Sequence, residues 1–248
     1  MKTKNKNYIN NEWVEAAGGD SFEVENPFNE KIIATVPYSK EKDVDNAVTV
    51  AKSAWKDWKT LGSLDMRDLL REVAVKSRKH DHEIAKIIVA ESGKPLIECL
   101  DEIEWIASIF EYYSEIGRDQ KGRVVAPVVS RSMSMVVKEP YGVVGCIVPW
   151  NYPLLLMAWK AAPALAAGNT LVIKPSEYTP LSIMRWLEVA CDHLPRGVVN
   201  MITGDGVTGS YLVEHSDTRV IAFTGSVDTG KKIAMMAAKQ LKKTSLEL

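Results

Sequence analysis

Residues 223–232 read FTGSVDTGKK, one residue short of the phosphate-cradling pattern G-x-x-x-x-G-K-[ST]. Gly225, Gly230 and Lys231 are correctly spaced, but Lys232 stands where the magnesium-holding hydroxyl is required. A lysine there repels the ion, which disfavours a triphosphate site. Two readings stay open: a tight strand-to-helix connection, or a helix N-terminus whose free N–H groups, closely approached through glycine, hold an anion. Lys174 and Glu177 pose a similar choice. They can hold two ribose hydroxyls, the Glu accepting and the Lys donating, or form a surface salt bridge. Asn151, inside the stiff run Pro-Trp-Asn-Tyr-Pro, can donate its amide to a developing oxyanion or serve simply as a turn residue.

Other reactive residue types offer less. Cys146 lies in the apolar run VVGCIVPW and Cys191 beside Ala190 and Leu194, so both read as inert core thiols. Cys99 sits among acidic residues and lacks the positive neighbours that activate a thiol. Glu98, Asp101, Glu102 and Glu104 read as a solvated helix face, because no His or Cys interleaves with them, and no metal site is expected. Lys239, Lys242 and Lys243 read as solvated helix and turn, and the four histidines have no triad-like setting.

The elements that must position these residues change character along the chain. Residues 8–14, 22–24 and 32–36 read as short strands. A helix follows with Val44, Val48, Ala51, Trp55 and Trp58 on one face and Ser39 as its N-cap. Further helices carry Leu69, Leu70, Val73 and Ala74, then Ile84, Ile87 and Ile88, stopped by SGKP at 92–95. Pro95 opens a fourth, with Leu96, Leu100, Ile103, Ile106, Phe110 and Tyr113 inward. Residues 117–140 hold no helical period and read as a linker or an extended hairpin arm.

From Tyr141 onward the pattern is regular. Continuous apolar runs at 143–148, 170–173, 198–202 and 220–223 each precede a helical segment, and 245–248 begins another strand. Continuous runs mark parallel strands covered on both faces, so the pattern predicts an α/β fold with a doubly wound parallel sheet. Thr179-Pro180 reads as an N-cap followed by Pro at the first helical position. A helix is expected over about 228–241. In such a sheet ligands bind beyond the carboxyl ends of the strands. Here those ends are followed by Pro149-Trp150-Asn151, Lys174-Pro175-Ser176-Glu177, Gly204-Asp205-Gly206 and Thr224-Gly225-Ser226. That convergence favours the phosphate reading of residues 223–232.

The 248 residues carry a formal charge of −1, with 46% hydrophobic and 25% charged residues. Neither nucleic acid nor a membrane surface has an electrostatic claim on such a chain. Three scattered cysteines and no apolar leader or spanning run point to a cytoplasmic protein.

The long runs IVPWNYPLLLMAWKAAPALAAGNTLVIKPSEYTPLS (147–182) and FTGSVDTGKKI (223–233), with the terminal LEL, closely resemble the NAD(P)-dependent aldehyde dehydrogenase superfamily, most of all its betaine-aldehyde-type members. The resemblance extends to YINNEWVEA and NPFNEKIIATVP near the N-terminus. It implies a Rossmann-like coenzyme domain with N-terminal helices (residues 1–121), a β-hairpin oligomerisation arm (122–140) and an NAD-binding part (141–248). It further implies that Ile147, Val148, Pro149 and Trp150 line the coenzyme cleft. Lys174 and Glu177 would serve the adenosine ribose, with Ser176 also at the coenzyme and Glu177 favouring NAD over NADP by repelling an extra phosphate. Gly206 would border the adenine, Gly225 and Ser226 the pyrophosphate, and Thr224 would also bind the coenzyme. Asn151 would be the oxyanion donor and Glu247 the general base that activates water.

In that family a Cys thiolate attacks the aldehyde, hydride passes to nicotinamide, and water releases the acid. The nucleophilic Cys follows the base by some tens of residues in a separate domain, and the sequence ends at Leu248. The resemblance thus implies an N-terminal portion that lacks the thiol domain, is inactive alone, and partners either copies of itself or a complementary C-terminal half. A dinucleotide-binding or interaction module is the alternative, and a P-loop NTPase the least favoured.

Overall fold

The computed structural model describes residues 6–248; the first five residues, part of the stretch read for a leader, lie outside it. The chain opens with β1 (Asn7–Ile9) and β2 (Glu12–Val14), an antiparallel pair. Sequence patterning suggested one strand here. Asn10 and Asn11, both at φ 59°, instead make the two-residue turn whose left-handed backbone suits a hairpin and which Asn tolerates. A second hairpin, β3 (Ser21–Asn26) and β4 (Lys31–Pro37), follows.

Four helices come next: α1 (Glu41–Trp58), α2 (Ser63–Lys79), α3 (Asp81–Ser92) and α4 (Leu96–Ile116). The expected inner faces are buried, including Val44, Val48, Ala51, Val73, Ile88 and Ile103, although Leu96 is exposed. The N-cap of α1 is Lys40, not Ser39. The Ser39 hydroxyl donates to the buried Asn7 Oδ1 at 3.0 Å, and the Asp43 carboxylate accepts the Lys40 N–H at 2.9 Å in its place. Beyond α4 an exposed antiparallel hairpin, β5 (Arg123–Val125) with β6 (Ser134–Val136), projects from the domain.

The remainder alternates strand and helix: β7 (Val143–Ile147), α5 (Pro153–Ala166), β8 (Thr170–Lys174), α6 (Leu181–Ala190), β9 (Val199–Met201), α7 (Gly206–Glu214), β10 (Thr218–Thr224), α8 (Val227–Ala238) and β11 (Lys243–Glu247). The strands form one seven-stranded sheet in the order β11-β10-β7-β8-β9-β1-β2. The five from β7 onward are parallel, and β1 joins β9 antiparallel. The N-terminal hairpin therefore extends the sheet, which makes it mixed. β7 and β8 are buried at every position, as their unbroken apolar runs require. One face of the sheet is covered by α5, backed by α2, α3, α4 and α6, and the other by α1, α7 and α8.

Two helix N-termini are closed by carboxylates far away in sequence. Glu91, on α3, accepts the N–H groups of Leu181 and Ser182 at 2.7 and 3.0 Å. Glu102, on α4, accepts those of Leu154 and Leu155, each at 3.0 Å. The Thr179-Pro180 cap is thus displaced: α6 begins at Leu181, with Pro180 at the cap position. Glu102 is also a correction to the solvated face, being fully buried while Glu98, Asp101 and Glu104 are exposed. Its charge is matched by Lys94, whose Nζ donates to Oε2 at 2.6 Å.

Candidate coenzyme site

The connection from β9 runs back across the sheet to place β10 on the far side of β7. That reversal opens a crevice at the carboxyl ends of β7 and β10, where such sheets bind ligands. The pairing register sets its floor: Phe223 lies beside Ile147, and Ile147 beside Lys174. Over this row lies a cavity of about 910 Å³.

All eleven residues expected at a coenzyme line this cavity. Ile147, Val148, Pro149 and Trp150 come from β7 and its exit, and Lys174, Ser176 and Glu177 from β8 and its exit. Gly206 comes from the start of α7, and Thr224, Gly225 and Ser226 from the end of β10. Asn151 and Glu247 are not part of the lining and are exposed. Asn151 stands one residue beyond Trp150, while Glu247 pairs with Thr224 on the edge strand.

The details sharpen individual roles. Lys174 is 4% exposed. Its Nζ donates to the Gly204 carbonyl at 2.7 Å and stands 3.8 Å from the Glu177 carboxylate. Burial holds the Lys174 ammonium pKa below its ordinary value, opposed by the charges of Glu177 and Asp205. Ser226 is the N-cap of α8, its Oγ accepting the Thr229 N–H at 3.3 Å. The Gly225 N–H is already bonded to the Glu247 carbonyl at 3.1 Å. The groups that can meet an anion there are therefore the first N–H groups of α8 that have no intrahelical acceptor, together with the Ser226 hydroxyl once it turns from Thr229 Oγ1, to which it donates at 3.0 Å.

The P-loop reading fails on geometry as well as on Lys232. Gly230 and Lys231 lie inside α8 rather than in a loop, and Gly230 packs against the Leu248 side chain. No peptide cradle is left to wrap a triphosphate.

Several lining residues escaped the sequence reading. Gly209 and Ser210 follow Gly206 by one turn of α7, and Thr229, Ile233 and Met236 repeat at helical spacing along α8. Their periodicity was legible, but not which face turned toward the crevice. Lys239 is 72% exposed at its side chain, as a solvated lysine should be, and also lines the cavity. Lys242 is half-buried, its Nζ donating to Val213 O at 2.6 Å and to His215 O. Lys160 had no sequence signal at all: it is buried in α5, and its Nζ donates to Thr224 Oγ1 at 2.5 Å. Burial lowers its pKa, opposed by charges that include Glu247.

The three cysteines are buried. Burial pushes the Cys99 thiol up to about 11 and that of Cys146 to about 12, and raises Cys191 as well. None can present a thiolate at neutral pH. Among the described residues no group of three or more His, Cys, Asp or Glu side chains could hold a metal, and no helix is long and apolar enough to cross a membrane.

A crevice at the reversal point of a parallel sheet, with a Lys–Glu pair at the exit of β8 and a helix N-terminus at the exit of β10, is the arrangement of a dinucleotide-binding α/β domain. The aldehyde dehydrogenase family profile matches residues 13–248, and the chain belongs to that family. It is 38% identical over 245 residues to betaine aldehyde dehydrogenase of Bacillus subtilis (strain 168), covering 97% of this chain and 50% of that protein. It is 39% identical over 251 residues to aminoaldehyde dehydrogenase 2 of Zea mays, with the same two coverages. Betaine aldehyde dehydrogenase of Staphylococcus aureus, solved in complex with NAD+, superposes at a TM-score of 0.95 and is 35% identical, covering 98% of this chain and 49% of that one. An NADP-dependent enzyme of E. coli gives the same TM-score at 34% identity, covering 98% and 51%. The chain spans about half the length of the relatives it matches.

Proposed function

We propose that these residues form the coenzyme-binding half of an NAD-dependent aldehyde dehydrogenase. The observation that carries the proposal is the single crevice in which all eleven expected coenzyme-lining residues meet. In this reading Lys174 donates to one adenosine-ribose hydroxyl and Glu177 accepts from its neighbour. The Ser226 hydroxyl and the N-terminus of α8 hold the pyrophosphate. Thr224, Phe223 and Val148 floor the cleft. The bound dinucleotide supplies the hydride acceptor.

Asn151, exposed and held by its flanking prolines, donates its amide to the oxyanion that forms on the aldehyde carbon. Glu247 accepts a proton from the water that releases the acid. The nucleophilic thiolate comes from outside these 248 residues, since the buried Cys99, Cys146 and Cys191 cannot supply it. Trp105 stacks on Tyr152 beside Asn151, with ring centroids 6.4 Å apart. The relatives named for betaine aldehyde and aminoaldehydes support an aldehyde bearing a cationic group. The β5–β6 hairpin, with Val124 76%, Val128 101% and Met135 62% exposed, is an arm that needs covering by another copy of the chain or by the complementary half.

Calorimetric titration with NAD tests the reading: the 248-residue polypeptide binds NAD, and its mixtures with aldehyde produce no NADH. A folded protein with no NAD affinity up to millimolar concentration refutes the coenzyme assignment. NADH production by the polypeptide alone refutes the assignment of the nucleophile to another segment.

A further inference from the structure

We propose that Asp205, held by the Tyr38 hydroxyl, is a second carboxylate that acts with Glu177 to exclude a dinucleotide carrying a 2′-phosphate. The proposal rests on the coenzyme reading above and adds a selectivity determinant to it.

Asp205 lines the cavity at the N-cap of α7. Its Oδ1 accepts the Val207 N–H at 2.8 Å and the Tyr38 hydroxyl at 2.6 Å. The residue before it, Gly204, accepts the Lys174 ammonium through its carbonyl, which brings Asp205 to the ribose end beside Lys174 and Glu177. A 2′-phosphate entering here needs cations or free backbone N–H groups. The N-terminus of α7 is the backbone donor at this end, and the Asp205 carboxylate already takes its positive pole. Burial works against that carboxylate, but the Tyr38 hydroxyl, the Val207 and Thr208 N–H groups and the Lys174 charge hold it below the ordinary carboxylate range. Asp205 is therefore ionised whenever coenzyme would bind.

Lys174 and Lys40 are both committed. Lys174 is turned to Gly204 O and Glu177. Lys40, whose ammonium lies 4.5 Å from the Tyr38 ring centroid, is paired with Asp20 at 3.0 Å. A phosphate dianion would thus meet two carboxylates and one engaged ammonium, whereas a ribose hydroxyl meets acceptors it can satisfy. Glu177 is 39% exposed at its side chain and can swing away. Asp205 is tied from two sides and cannot.

The test is calorimetric titration of the 248-residue chain with NAD and with NADP, for the wild type, Glu177→Gln, Asp205→Asn, the double variant and Tyr38→Phe. Asn keeps a cap acceptor for α7, and Asp205→Ser does so with a different shape, so the fold survives in at least one variant. Each single carboxylate substitution is expected to lower the ratio Kd(NADP)/Kd(NAD) about tenfold, and the pair about a hundredfold. Tyr38→Phe is expected to shift the ratio in the same direction, by about threefold. A ratio unchanged by Asp205→Asn and Asp205→Ser, alone and with Glu177→Gln, overturns the proposal while leaving the coenzyme reading intact. A wild type that is folded yet binds no NAD overturns both.

Discussion

Removing the Glu102 carboxylate tests how the turn bearing Asn151 is held. Glu102 has no exposed surface, and its two oxygens have separate duties. Oε1 accepts both Leu154 and Leu155 N–H groups at the start of α5, while Oε2 accepts Lys94 Nζ at 2.6 Å. Lys94 is itself only 13% exposed at its side chain and lies 3.6 Å above the Tyr152 ring. In Glu102→Ala two charge-assisted bonds and a buried pair disappear together. Bonds of that kind contribute roughly 1.5–3 kcal/mol each, and breaking a buried pair costs roughly 3–5 kcal/mol. These overlap, so about 4 kcal/mol is the expected loss, or about 8–16 °C in Tm for a chain of this size. Glu102→Gln keeps a carbonyl oxygen for both N–H groups and loses only the ion pair, so about 2 kcal/mol is expected. Adding Lys94→Met to Glu102→Gln removes the stranded ammonium and should recover about 1 kcal/mol or more, a positive coupling in the double-mutant cycle. Urea unfolding followed by circular dichroism, with the m-value checked for constancy, measures all three. A Glu102→Ala loss under about 1 kcal/mol, or strict additivity of the Lys94 and Glu102 changes, would refute the reasoning.

Two further perturbations have clear signs. Burial raises Glu91 from 4.5 to about 8, against the N–H groups it accepts. Between those values the folded chain keeps a proton that the unfolded chain has released, so this contribution to stability is complete below pH 4.5 and is lost as pH rises through about 8. Urea midpoints across that range should show a downward slope that Glu91→Gln flattens; an unchanged slope rejects the assignment. Gly204 sits at φ 150°, and a Cβ there would strike the Thr208 hydroxyl. Gly204→Ala should therefore cost about 2 kcal/mol or more and weaken NAD binding through α7, and a wild-type melt with wild-type affinity would contradict this.

Much of the fold was readable because parallel strands leave a one-dimensional signature. The buried runs at 143–147 and 170–174 are continuous in sequence as well as in space, and the residues that follow strand ends are adjacent to them. Nine of the eleven lining positions fall in the segments that this rule marks, while Ile147 and Val148 came only with the resemblance to the family. What failed was long-range pairing. Glu102 and Glu91 cap helices 52 and 90 residues away, and nothing local distinguishes them from the solvated Glu98 or Glu104. The antiparallel addition of β1 to β9 joins residues 8 and 201 and is equally invisible. Lys160 was silent for the opposite reason: a lone lysine within an apolar helix carries no pattern, although it bonds Thr224, the residue paired with Glu247 across the sheet.

The glycine-rich stretch at 223–232 gains a meaning that spacing alone could not supply. Gly225 is where β10 hands over to α8, and a Cβ at this position would collide with the Phe223 ring. Its amide is bonded to the carbonyl of Glu247, so the turn into α8 and the edge strand β11 are one hydrogen-bonded unit. Gly230 has a different duty, letting the Leu248 side chain rest on α8. The likeness to a triphosphate loop arises because in both a glycine-bearing turn leads into a helix N-terminus, where an anion can be held. In a triphosphate loop the second glycine shapes the cradle. Here it seats Leu248, just past β11, on α8, which on the proposed reading fixes Glu247 relative to the helix facing the coenzyme.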